Sequence, residues 1–307
     1  EAVFSELDAE LVLADEPTEQ EILKVASQAD ALLVTYGQIT ADVIAGLRNC
    51  KVIGRMGLGV DNIDIDAATM AGIAVVYVPD YCVDEVSDHA MAMLLNLARK
   101  VSFSNQLVQA GRWEMPAVTP LSRLRGRTLG LAGFGQIPRT VTPKAQSFGL
   151  NVIACDPFVD KKVAAAAGVE LVDFDTLLRT SDYISVHVPM MPETRNLFGA
   201  EAFAKMKPET FLINTARGPL VDIDALASAL DAGQLAGAAL DVMPVEPPPA
   251  DNPLVGRDNV IFSPHTGFYS VEALEELQTK AARGVVDVLS GRTPAYPINP
   301  EVLGAAS

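Results

Sequence analysis

The chain is expected to be an α/β protein with two doubly wound parallel-sheet domains, and three observations point there. Apolar runs of strand length alternate with helix-length runs nearly throughout, the pattern of parallel strands joined by covering helices. At 307 residues there is chain enough for about two domains, each with its own core. A long apolar helix at 84–103 and another at 271–289 are long enough to pass between domains, so the second domain is expected to be inserted into a first that the C-terminal segment completes.

Taken in order, strands are expected at 10–14, 31–35, 52–55 and 74–78. The helix after the first of them opens at Thr18 with Glu21 three residues on, a capping-box pattern. Residues 111–127 carry the single tryptophan, two prolines and several arginines and read as irregular. Further strands are expected before a glycine turn at 133–135 and after the helix that follows it, then at 183–188, 210–214, 238–242 and 260–263. Gly291 and Pro294 break off the last helix. The division that follows is 1–99 with 268–307, and 100–267. Glu1 is not an initiating methionine and no strand precedes the helix-like opening, so the natural chain is expected to start further upstream.

Composition excludes several classes. Lys and Arg number 23 against 39 Asp and Glu, a net charge of −16, which opposes general affinity for nucleic acid or anionic membranes. No apolar run of membrane-spanning length and no signal-peptide pattern occurs. Cys50, Cys82 and Cys155 are odd in number and far apart, fitting neither a disulfide framework nor a metal site; a reducing cytoplasm is expected.

The most informative segment is LGLAGFGQIPRTVTPKAQSFGLNVIACD, from Leu129 to Asp156. Gly133 allows a tight strand-to-helix turn, Gly135 lets backbone approach a pyrophosphate, and the next helix presents its N-terminal amides. Asp156 stands where a carboxylate accepts ribose hydroxyls and repels a 2′-phosphate, so NAD is expected over NADP. Pro138 replaces the third glycine of this pattern; proline suits a first helical turn. Pro143, further in, deletes a helical hydrogen bond and invites a kink. Both put the tightness of cofactor binding in question.

With only three histidines the search for a group titrating near neutrality is short. His265, in SPHTGFYS after a strand, is the candidate acid/base; His187 ends a strand and reads as a lining residue of the cofactor crevice, and His89 as a packed helix residue. Arg217 at a strand's carboxyl end either holds a carboxylate by two parallel hydrogen bonds or caps its loop. Glu246, in VEPPP, is either a solvated loop charge or the acid that orients His265. Asp241 either meets the nicotinamide side or closes its strand. The turn GLGVDN at 57–62 offers an amide nest for a substrate carboxylate, with Arg55 beside it either adding positive charge or lying at a strand end.

These motifs together resemble the NAD-dependent D-isomer-specific 2-hydroxyacid dehydrogenases. The match runs along essentially the whole chain: GLGVDNID at 57–64, DEVSDHAMAMLLNLAR at 84–99, GFGQI at 133–137, HVPMMPETRNL at 187–197, LINTARGPLVD at 212–222, GAALDVMPVEPP at 237–248 and SPHTGF at 263–268. VPDYCVDEVSDHA and PHTGFYS are similar to the C-terminal-binding-protein-like and phosphoglycerate-dehydrogenase-like branch. The resemblance implies a Rossmann cofactor domain inserted into a flavodoxin-like substrate domain, with substrate lying between the two. Arg217, Glu246 and His265 are implied as the catalytic set. NAD contacts are implied at Gly133, Gly135, Gln136, Ile137 and Asp156, and at His187, Pro189, Thr215, Ala216 and Asp241. Substrate contacts are implied at Arg55, Leu58, Gly59, Val60 and Phe268; some relatives carry tryptophan at the last position.

The activity so implied is D-specific hydride transfer between NAD(H) and a small 2-oxo or 2-hydroxy acid, by a homodimer. The branch also admits a second reading, an NADH-sensing, corepressor-like interaction protein in which turnover is incidental.

Overall fold

In the computed structural model, residues 2–304 are described. They form two compact units, one of the residues up to Tyr81 together with those from Ser270 onward, the other Cys82–Tyr269.

The first unit holds three parallel strands, β1 (Ala31–Val34), β2 (Val52–Arg55) and β3 (Ala74–Val76), in the order β1-β2-β3. Alternation within the strands sends side chains to two cores. Leu32, Val34, Ile53 and Val75 pack with Ile22, Val43 and Ala68 from the early helices, while Val52, Ala74 and Val76 pack with Val285 and Val286 of the Val271–Leu289 helix. Both faces are therefore covered, as parallel strands require. Asn299 closes the outer edge of β3, accepting from the Val75 amide at 2.7 Å and donating to Thr69 and Ile73. The strand expected at 10–14 is not formed: Leu11, Val12 and Leu13 are exposed, and no neighbouring strand supplies their backbone bonds among the described residues.

The second unit is built on seven parallel strands: β4 (Thr128–Ala132), β5 (Asn151–Cys155), β6 (Glu170–Leu171), β7 (Tyr183–Val186), β8 (Phe211–Asn214), β9 (Gly237–Leu240) and β10 (Val260–Phe262). Their order is β10-β9-β8-β7-β4-β5-β6. Chain order reverses between β4 and β7, and at such a switch point the loops leaving the carboxyl ends diverge and open a crevice. Leu129 and Leu131 face Leu94, Leu97, Val141 and Ala145 on one side; Ala132, Ile184, Val186 and Leu212 face Leu177, Phe198 and Phe203 on the other.

Two expectations change in this region. The helix at 84–103 is two helices, Val83–Arg99 and Val101–Gln109, parted at Lys100, whose φ of 51° is left-handed. No glycine or proline marks the break; the Asn96 side chain stabilises it by accepting from the Ser102 amide at 2.8 Å. The division of units also falls at Tyr81 and not at residue 99, because the apolar face of Val83–Arg99 is part of the core built on β4. The helix Gln136–Ser147 continues through Pro143, with Thr142 Oγ1 donating to the Pro138 carbonyl at 2.8 Å.

Candidate active site

The crevice between β4 and β7 begins at Gly133. Its φ of 94° is open to glycine, and a β-carbon there would lie 2.8 Å from the His187 carbonyl oxygen, so the loops after β4 and β7 abut only because this residue has no side chain. Asp156, at the end of β5, ties the same turn down: one carboxylate oxygen accepts the Phe134 amide at 2.8 Å and the other the Phe158 amide at 2.9 Å. Gly135 caps the following helix without a side-chain bond, leaving the first turn, Gln136 and Ile137, to supply backbone donors to an anion. Pro138 lies in that turn and is buried.

His187, after β7, hydrogen-bonds Ser185 Oγ through Nε2 at 2.8 Å. Burial pushes its imidazole pKa down to about 3, which makes it a neutral lining group at ordinary pH. Pro189 is exposed just beyond. After β8, Thr215 Oγ1 is buried with no hydrogen-bond partner, and Ala216 is half-buried. A buried hydroxyl without a partner calls for one. Together with the side-chain-free cradle at Gly133 and Gly135, it makes these residues fit a dinucleotide.

Arg217 follows directly, its Nη1 donating to the Ala216 carbonyl at 2.8 Å and its own carbonyl accepting from Asn214 at 2.9 Å. Gly218 then passes so close to the β9 loop that a β-carbon would lie 2.0 Å from the Met243 carbonyl carbon. That approach seats the arginine turn against the segment leading to Glu246. Glu246 is held by its own loop, one oxygen accepting the Met243 amide at 2.8 Å. Its other oxygen is 2.7 Å from His265 Nδ1, and Phe268 meets the His265 ring edge-on, centroids 6.0 Å apart.

Asp241, 4% exposed, is the anchor of the His265 loop. Its carbonyl accepts the His265 amide at 2.8 Å, and its carboxylate accepts Ser263 Oγ and the Thr266 and Gly267 amides. Burial favours the neutral acid, but the hydrogen bonds from His89, Ser263 and the two amides outweigh it and hold the carboxyl below its usual range. In the sequence Ser263 carries no functional mark and His89 reads as a packed helix residue. No local signal links them, since they lie 174 residues apart.

In the first unit Arg55 ends β2 and braces its own turn, donating to Asn62 Oδ1 at 3.0 Å and to the Met56 carbonyl. Asn62 in turn donates to the Gly37 carbonyl at 2.8 Å. Leu58 is exposed, with Gly59 and Val60 half-buried beside it.

The second unit therefore carries a glycine turn with room for a phosphate, an acid-tethered imidazole and an arginine on one parallel sheet, a set that fits a dinucleotide-dependent oxidoreductase. Residues 91–267 match the NAD binding domain of the D-isomer specific 2-hydroxyacid dehydrogenases, and the chain belongs to that family. It is 41% identical over 292 residues to D-3-phosphoglycerate dehydrogenase of Methanocaldococcus jannaschii, covering 94% of this chain and 55% of that protein. It is 36% identical to the glyoxylate reductase of Thermofilum pendens, covering 94% and 86%. The D-lactate dehydrogenase of Aquifex aeolicus, solved with NAD and lactic acid, superposes with a TM-score of 0.85 at 27% identity, covering 99% of this chain and 93% of that one. The chain spans about half the length of the phosphoglycerate dehydrogenases it matches. Among the described residues no helix is long and apolar enough to cross a membrane.

Proposed function

We propose that this protein transfers a hydride between NAD(H) and a small 2-oxo or 2-hydroxy acid with D-stereospecificity. The observation that carries the reading is the His265–Glu246 pair, 2.7 Å apart, with Glu246 itself fixed by the Met243 amide. A carboxylate on Nδ1 keeps a proton on that nitrogen and leaves Nε2 as the atom that gives or takes the reacting proton.

Bound NAD(H) supplies or accepts the hydride. Gly133, Gly135, Gln136 and Ile137 hold its phosphates, Asp156 its adenosine ribose, and His187, Pro189, Thr215, Ala216 and Asp241 line the rest of its site. Arg217 binds the substrate carboxylate and stabilises charge on the neighbouring oxygen as it develops. In reduction His265 Nε2 donates the proton to that oxygen; in oxidation it accepts it. Arg55, Leu58, Gly59, Val60 and Phe268 contact the substrate and select its side chain. The unit of the residues up to Tyr81 with those from Ser270 onward serves substrate, and Cys82–Tyr269 serves cofactor.

The protein works as a homodimer in a reducing cytoplasm. Val101, Val108 and Trp113 are 58%, 46% and 89% exposed on one arm of the second unit, apolar surface that association would cover, and Cys50, Cys82 and Cys155 are thiols, not disulfides. Light scattering is expected to give about twice 32.6 kDa; a monomer mass at working concentration contradicts the dimer. The activity is tested with NADH and a panel of glyoxylate, hydroxypyruvate, pyruvate, a bulkier 2-oxo acid and 3-phosphohydroxypyruvate, with the configuration determined for every product except glycolate, which has no stereocentre. D-configured product from at least one acid is expected, and no turnover of any would favour an NADH-sensing interaction protein.

A further inference from the structure

His265 has a left-handed backbone, φ 53°, in which the β-carbon crowds the chain. Such a conformation persists only where the surroundings over-determine it. Here its amide donates to the carbonyls of Asp241 and Ser263 at 2.8 and 3.0 Å. The next two amides, of Thr266 and Gly267, donate to opposite oxygens of the Asp241 carboxylate, each at 2.9 Å. The orientation of one buried carboxylate thus decides where His265 points.

His89, from the helix Val83–Arg99, reaches the same carboxylate. Its Nε2 lies 2.8 Å from Ser263 Oγ and 3.4 Å from Asp241 Oδ1. The Ser263 hydroxyl proton is committed to Asp241 Oδ1 at 2.5 Å, so the serine oxygen can only accept from His89. Nε2 of His89 therefore carries a hydrogen. Donors run in one direction, from His89 to Ser263 to Asp241. The contact is tight: a β-carbon at Gly267 would lie 2.8 Å from Asp241 Oδ2 and 3.3 Å from His89 Cδ2.

We propose that His89 is a positioning residue for His265: through Ser263 its Nε2–H fixes the Asp241 carboxylate, which holds residues 265–267 so that His265 Nδ1 meets Glu246. The effect on turnover rests on the dehydrogenase reading above, whereas the hold on the loop rests on geometry alone.

His89→Leu removes the donor and His89→Gln restores an N–H near the position of Nε2. Two readouts are taken on the intact protein, amide hydrogen exchange at Thr266 and Gly267, and kcat and KM with NADH and the best 2-oxo acid. In His89→Leu both amides are expected to exchange about tenfold faster, while β7 and β8 are unchanged. kcat is expected to fall about tenfold with the substrate KM within about twofold. His89→Gln is expected to recover both. Ser263→Ala, which cuts the chain without touching the helix, is expected to match His89→Leu and serves if that variant does not fold. Unchanged exchange in His89→Leu or Ser263→Ala, or equal loss in the leucine and glutamine variants, overturns the proposal. If the wild type turns over no 2-oxo acid, the dehydrogenase reading fails while the exchange data still decide whether His89 holds the loop.

Discussion

Glu246 joins two parts of the site: one carboxylate oxygen takes the Met243 amide at 2.8 Å and the other lies 2.7 Å from His265 Nδ1. The acid is thus pinned by backbone on one side and presents a fixed charge to the imidazole on the other. Glu246→Gln leaves one acceptor oxygen where the carboxylate serves both the Met243 amide and His265 Nδ1, and it removes the charge facing the imidazole. kcat for reduction is expected to fall about 10²-fold with NADH affinity unchanged. Steady-state kinetics beside a fluorescence titration of NADH check this, and a near-wild-type kcat would make Glu246 a loop charge only.

Arg217→Lys keeps a positive charge but loses the planar two-pronged donor. KM for the 2-oxo acid is expected to rise and kcat to fall together, lowering kcat/KM about 10²-fold. A change in KM alone would show that Arg217 binds substrate without acting on the reacting oxygen.

The cofactor prediction rests on Asp156, whose carboxylate ties the Phe134 amide at 2.8 Å. Pro157 and Phe158 offer no compensating cation, so a 2′-phosphate meets like charge. kcat/KM with NADH is expected to exceed that with NADPH by about 10²-fold or more. Equal efficiency would remove Asp156 from the ribose site.

A stability prediction comes from Asp182, at the opposite end of the sheet from the site. Burial would raise its carboxyl, but Lys207, the Thr128 amide and Arg127, at 2.7, 2.8 and 3.1 Å, hold it below the usual range. A depressed carboxyl binds fewer protons folded than unfolded, so its contribution is present above the ordinary carboxylate range and lost as pH falls through the folded value. Asp182→Asn is expected to cost about 2 kcal/mol at neutral pH, with the gap to wild type closing toward acid. Thermal unfolding across pH checks it; a gap independent of pH contradicts it.

How much of this was legible depends on the range of the interactions involved. The strand, glycine turn, helix and acid from Leu129 to Asp156 are close along the chain, and periodicity with turn chemistry reads them directly. The break at Lys100 left no mark, because Asn96 and Ser102 make it by a side-chain contact in place of a glycine or proline. The run at 10–14 has the apolar pattern of a strand, yet a strand needs a neighbour, which a one-dimensional pattern does not show. Arg217 and His265 stand out as candidates by residue type and strand-end position, and Glu246, a loop carboxylate, only through the need for an acid beside His265. The support behind them could not: Ser263 and His89 meet Asp241 only through the packing of a helix on the sheet.

The central claim is tested most directly by His265→Asn, assayed for single-turnover reduction and for NADH binding by fluorescence. Asparagine leaves the pocket nearly the same size and removes the proton donor. kcat is expected to fall by about two to four orders of magnitude with the NADH dissociation constant unchanged. Substantial remaining turnover, or loss of NADH binding as the main effect, would contradict His265 as the acid/base and the mechanism built on it.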